Sequence, residues 1–242
     1  MMKISNDTRD VLKNFSTINS GIRVKEGNRL ETISNMKNIL AVATVSEEFP
    51  KNFSIYNLPE FLGATSLMED PDFQFGDSSL EIVDPNSKMA YYYASEGMVI
   101  APDKMITMPD AEIEFKVTST LLTDLQKASS VLGVNDLVLE SDGTTVSLTV
   151  KDKKNAASNT FSRSVGEGDG TKYSMNFKIE NLKILTGNYN VSVSSKGISH
   201  FNNADIALEY FIALEPDCPN SSFYWWDILQ SSAGFFVLFI MR

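Results

Sequence analysis

The chain has 242 residues, with 31 acidic against 21 basic side chains and a formal net charge of −10. Its 43% apolar and 21% charged content is that of a soluble globular protein, long enough for one large domain or two of ~100 residues with real cores. The acidic total argues against nucleic-acid binding by bulk charge, because phosphate contacts need Lys and Arg, although a cleft follows its local charge and not the sum.

The first element is a helix. Asn6, Asp7 and Thr8 offer capping side chains, and Val11, Leu12, Phe15 and Ile18 fall on one face. Arg9, Lys13 and Asn14 lie opposite. Short strand patterns follow at Ile22–Lys25, Arg29–Ser34, Ile39–Val45 and Phe53–Ile55. Asn57 can cap a second, shorter helix through Phe61, Leu62 and Leu67, with Pro59 tolerated in its first turn. Strands at Phe73–Phe75, Ser79–Val83 and Met89–Tyr93 close this half.

The order then repeats. Ile113–Val117 reads as a strand, and Thr118 or Ser119 caps a helix with Leu121, Leu122, Leu125 and Leu132 inward and Lys127 outward. Strands follow at Asp136–Leu139, Thr145–Val150 and Tyr173–Lys178. A short helix is expected over Asn181–Leu185, ended by Gly187, then strands at Tyr189–Ser194 and Ile206–Leu214. The stretch FSIYNLPEFL at Phe53–Leu62 is echoed by FKIENLKIL at Phe177–Leu185. A six-position pattern of common residues can recur by chance, but the order of elements agrees with it. Between the halves, ASEGMVIAPDKMITMPD at 94–110 has the composition of a domain boundary. The expected fold class is therefore α+β, with two similar domains, each an antiparallel sheet plus two helices. Residues 1–110 would form the first domain with its linker, and 111–215 the second. Residues 216–242 form an unusually apolar tail, whose uninterrupted apolar run Ala233–Met241 is too short to span a membrane as a helix.

Little chemistry is legible. The single histidine, His200, follows a Lys-Gly turn and reads as a solvent-exposed loop residue. It excludes a two-histidine metal site and leaves no spare candidate for a Ser-His-Asp arrangement. No phosphate loop, nucleophile elbow or zinc motif occurs; GEGDG at Gly166–Gly170 reads as a hairpin tip. Catalytic residues, metal ligands and cofactors are thus expected to be none. Cys218 alone cannot close an intrachain disulfide, which fits a reducing compartment. The stretch MMKISNDTRDVLKNF lacks the apolar core of a secretory signal.

The opening Ser5-x-Asp7-Thr8-x-x-x-Leu12-Lys13-Asn14-Phe15-x-Thr17-Ile18-Asn19-Ser20-Gly21-Ile22 closely resembles that of the sliding clamps of T4-like bacteriophages, the processivity factors of their DNA polymerases. Ile55-Tyr56-Asn57-Leu58-x-x-Phe61-Leu62-Gly63 with Ser66-Leu67, and Tyr210-Phe211-Ile212-Ala213-Leu214-Glu215, are similar to later stretches of that family. In Leu185-Thr186-Gly187-Asn188-Tyr189, Thr186 stands where the family often has proline. The resemblance covers about residues 2–215.

It implies a DNA clamp fold and a homotrimeric ring around double-stranded DNA, held without regard to base sequence. Helices would line the hole and strands the outer wall. It also implies a role in viral DNA replication in the cytoplasm of the infected host. The partners would be the DNA polymerase and a clamp loader that uses ATP; no membrane and no enzymatic step are implied. Inward helix faces should be basic, and the DNA-facing candidates are Arg9, Lys13, Lys127 and Lys183, with Lys3 and Lys178 weaker. A pocket for partner peptides, beside the linker and the chain end, would involve Met98, Val99, Ile100, Pro102, Ala213, Leu214 and Pro216.

The tail has three open readings: a disordered extension, an unnatural end of the reading frame, or a segment occupying a pocket on its own ring. A second class of function also stays open, a non-enzymatic two-domain β-rich structural or interaction protein of a virion.

Overall fold

The computed structural model describes residues 2–215. Pro216 and the tail, with all three readings of it, lie outside the described residues.

The chain opens with α1, Asn6–Ile18. Ser5 caps it, its hydroxyl accepting from the Thr8 amide, and Val11, Leu12, Phe15 and Ile18 are buried as the periodicity requires. The cap is reinforced from a strand: the Glu47 carboxylate accepts the Ser5 amide N–H at 2.5 Å and the Thr8 hydroxyl. Burial pushes the Glu47 carboxyl up, but the hydrogen bonds from Thr8 and Ser5 outweigh it and hold the group below the usual range.

The first half continues through β1 (Ile22–Val24), β2 (Gly27–Ile33), β3 (Ile39–Phe49) and β4 (Phe53–Ile55) to α2 (Leu58–Thr65). It ends in β5 (Asp72–Phe75), β6 (Ser79–Val83) and β7 (Lys88–Tyr92). The second half runs β8 (Ile113–Val117), α3 (Ser119–Leu132), β9 (Asp136–Asp142), β10 (Thr145–Lys151), β11 (Phe161–Glu167), β12 (Lys172–Lys178), β13 (Tyr189–Ser194), β14 (Ile198–Asn203) and β15 (Leu208–Ala213). Thr118 caps α3 through the Leu121 amide. Gly133, left-handed at φ 65°, ends that helix where a side chain would be strained.

One antiparallel sheet joins the halves. Its order is β2-β3-β15-β14-β13-β8, so the last strand pairs with the first half, Tyr210 opposite Ala41 and Phe211 opposite Leu40. Two outer sheets flank it, β5-β6-β7 on one side and β11-β10-β9-β12 on the other. Strand alternation divides β3 between two layers. Ile39, Ala41 and Ala43 face the main core beneath the helices, whereas Leu40 and Val42 face outward under the linker.

The α+β, sheet-rich reading holds, and three of its helices are present. The fourth is not. Over the expected helix Asn181–Leu185 the chain makes only a 3-10 turn at Ile179–Asn181, and Leu182 departs from helical geometry at φ −79°, ψ 54°. The two copies of the echo explain this. Asn57 Oδ1 accepts the Glu60 amide at 3.2 Å and starts α2, with Pro59 fixed in the first turn. Asn181 is buried, and its Oδ1 accepts instead from Asn38 Nδ2 at 3.0 Å. A side chain bonded across the molecule does not cap its own helix.

His200 is likewise not on a loop. It lies in β14, stacked on Phe211 with ring centroids 4.5 Å apart, its Nε2 2.9 Å from Glu209 Oε2. Strands β11 and β14 carry no clean alternation of apolar residues and escape a sequence reading. GEGDG is not a hairpin tip either: β11 and β12 are opposite edges of their sheet, and the segment crosses over the β9–β10 turn, the Gly168 and Gly170 amides donating to the carbonyls of Thr144 and Gly143 at 2.7 and 2.9 Å.

Candidate nucleic-acid interface

Helices α1 and α2 pack side by side over the first half, while α3 covers β10 and β11 of the second. The segment Leu182–Leu185 lies between the halves. Asn14 Nδ2 of α1 donates to the Lys183 carbonyl at 3.1 Å, and Gln126 Nε2 of α3 donates to the Leu182 carbonyl at 3.4 Å. Beneath it, the buried Tyr210 hydroxyl accepts the Leu185 amide at 3.0 Å and donates to Asn14 Oδ1 at 2.7 Å. The Tyr189 hydroxyl donates to the Leu185 carbonyl at 2.6 Å. Burial pushes both phenols up from their ordinary value, Tyr210 the further, so each stays a neutral donor.

Lys13, Lys127 and Lys183 are exposed and Arg9 is half-buried, all on this helical layer. Lys13 forms a surface pair with Asp10 at 3.1 Å, a contact weak enough for a phosphate to displace. Arg9, Lys127 and Lys183 make no ion pair among the described residues. Lys13 and Lys183 are brought into one neighbourhood by Asn14; Lys127 sits separately on α3. Lys3 is paired with Asp70, and Lys178 with Asp136. The three helices and Leu182–Leu185 carry Arg9, Lys13, Lys127 and Lys183 against Asp7, Asp10, Glu60 and Asp124. This layer is therefore neutral, and the negative excess of the chain lies wholly outside it.

The linker crosses the opposite face. Ile106 and Met108 pack on Ile33, Leu40, Val42, Ile198 and Phe211. Of the residues singled out for a partner pocket, Met98 and Ile100 are exposed and Leu214 is half-buried, while Pro102 and Ala213 are buried. Val99 is buried elsewhere, tight against Gly21, where an added Cβ would lie 3.2 Å from Val99 Cγ1 and from two carbonyl oxygens. The Asn19 side chain ties the linker down, donating to the carbonyls of Ile33 and Ile100, both at 2.9 Å. The covered cluster escaped the sequence because Leu40, Val42 and Phe211 lie in continuously apolar strands; only Ile106 and Met108, alternating in the linker, carry a signal.

Among the terminal strands of the sheets, β7 and β11 bear on assembly. The outer edge of β7 and that of β11 pair with nothing among the described residues. Each lies beside a helix. Phe61 of α2 packs edge-on against Tyr91 of β7 at 5.1 Å, and Asp124 of α3 reaches Arg163 of β11 at 3.5 Å. Exposed apolar side chains accompany both, with Tyr92 73%, Leu67 85% and Val131 84% exposed.

Two antiparallel units joined by one sheet, with helices on one layer, define the DNA clamp fold. The structure of A. fulgidus PCNA bound to the C-terminal region of FEN-1 aligns with a TM-score of 0.64 at 11% identity, over 87% of this chain and 95% of that one. The family model described as DNA polymerase processivity factor matches residues 5–101, and that described as gp45 sliding clamp, C terminal, matches 114–216. The sliding clamp of Vibrio phage KVP40 is 34% identical over 221 residues, 88% of this chain and 99% of that protein. The sliding clamp of Enterobacteria phage T4 is 31% identical over 235 residues, 89% and 98% respectively. The chain belongs to the sliding-clamp family of T4-like phages.

Proposed function

We propose that this DNA sliding clamp works as a closed homotrimer that encircles duplex DNA and tethers the replicative polymerase. The observation that carries the reading is the separation of charge. A neutral helical layer bearing exposed lysines is set apart from the rest of the chain, which carries the whole negative excess, so duplex is tolerated on one face and disfavoured elsewhere. Arg9, Lys13, Lys127 and Lys183 face the DNA and give weak contacts to phosphates with no base readout, which is what sliding needs. No bond is made or broken; retention is topological. A clamp loader opens and closes the ring, and the work is done in the infected host's cytoplasm.

Ring closure is proposed to occur by pairing the open β7 edge of one subunit with the open β11 edge of the next. An exposed, unpaired edge flanked by apolar side chains is otherwise an aggregation hazard, and a heterologous contact that closes yields a ring. Partner peptides dock on the linker side, beside Met98, Ile100, Ala213 and Leu214, next to the Ile106 cluster. Light scattering tests the assembly: a molar mass three times 26.9 kDa is expected, and a monomer at micromolar concentration would overturn it.

A further inference from the structure

We infer that Leu182–Leu185 is a phosphate-contacting loop whose position is set from the other half of the chain, with Asn14 and Tyr210 as its positioning residues. The inference rests on the DNA-facing reading above. The polarity of the backbone supports it. Three of the four carbonyls are engaged from behind: Leu182 by Gln126, Lys183 by Asn14, and Leu185 by Tyr189. The Leu185 amide is held by Tyr210. The amides of Lys183 and Ile184 make no hydrogen bond among the described residues. An exposed cationic residue thus offers its own free N–H, next to a second one, on a segment whose acceptors are mostly turned away. A phosphodiester, rich in acceptors and negatively charged, fits that arrangement.

A helix over these residues would place the Lys183 carbonyl in its own ladder, unavailable to Asn14. The loss of the fourth helix is therefore coupled to the contact between halves: Asn14 takes the Lys183 carbonyl, and α1 carries Lys13 to the same neighbourhood. One phosphate strand crossing the seam would meet cations contributed by both halves.

The test is the salt dependence of binding to a short linear duplex, followed by fluorescence anisotropy over a KCl series. Lys183→Ala should lower the slope of log K against log salt by about 0.9, one phosphate contact. Asn14→Ala and Tyr210→Phe should lower it by a similar amount, and Asn14→Ala combined with Lys183→Ala should lose nothing further. Lys13→Ala should add its own decrement in either background. A purely structural role for Asn14 predicts a lower melting temperature with an unchanged slope, which would overturn the inference, as would additive losses in the double variant. If the unaltered ring binds duplex with no salt dependence, the DNA-facing reading itself fails.

Discussion

Asn38 donates its side-chain N–H to Asn181 Oδ1 at 3.0 Å, and this bond decides the fate of the second copy of the repeated motif. In the first copy the side chain of the equivalent asparagine, Asn57, bonds only to Glu60 of its own helix. Replacing Asn57 with Ala should cost ~1 kcal/mol, the usual loss of an N-cap. Asn181→Ala leaves the Asn38 amide unpaired in a part-buried site and should cost more, about 1–3 kcal/mol. Urea unfolding midpoints of the two variants measure the difference.

Glu47 makes the first helix sensitive to acid. Its carboxyl is held below its ordinary value in the folded protein, so its contribution is fully present above the unfolded-state value near 4.5. It is lost as pH falls through the lower folded value. Glu47→Gln removes the charge, and the variant should be destabilised by ~1–2 kcal/mol at pH 7. The gap to the native protein should narrow as the pH drops below 4.5. Thermal melts between pH 7 and 3 read both effects; a gap independent of pH would show that Glu47 does not titrate with folding.

Tyr92→Asp puts a charge on the exposed side of the β7 edge. It should reduce the trimer to single chains without lowering the monomer's own stability, because the side chain is 73% exposed within the chain. Light scattering and circular dichroism together distinguish loss of assembly from loss of fold. Ring closure through β7 is wrong if the mass is unchanged.

On the linker side, Ile106→Ser should weaken binding of a C-terminal polymerase peptide by roughly tenfold, about 1.4 kcal/mol. Ile106 is buried on Leu40, Val42 and Phe211 and fixes the linker that borders the pocket. Titration calorimetry with the peptide gives the number directly.

The elements with strong local rules were legible. The apolar faces of α1 and α3 show at helical spacing, Asn57 and Pro59 announce α2, and β8, β10 and β13 alternate cleanly. What failed was decided by distant groups. Asn181 looked like a cap until Asn38 claimed it, and His200 looked like a loop residue until Phe211 and Glu209 placed it in a strand. Lys13 and Lys127 were readable as outward positions on helices, whereas Lys183 was assigned to a helix that does not form. That Lys183 meets α1 through Asn14 was not readable, since a contact spanning most of the chain leaves no local pattern. The linker told the same lesson in reverse: its apolar residues were visible, but which of them were already buried was not.

The central claim is topological, and one comparison tests it. The ring is assembled on nicked circular plasmid with a clamp loader and ATP, and the DNA is then linearised by a restriction enzyme. The account predicts that a trimer comigrates with the circle through gel filtration and is released once ends are available. Equal retention on circular and linear DNA, or equal loss from both, would contradict it.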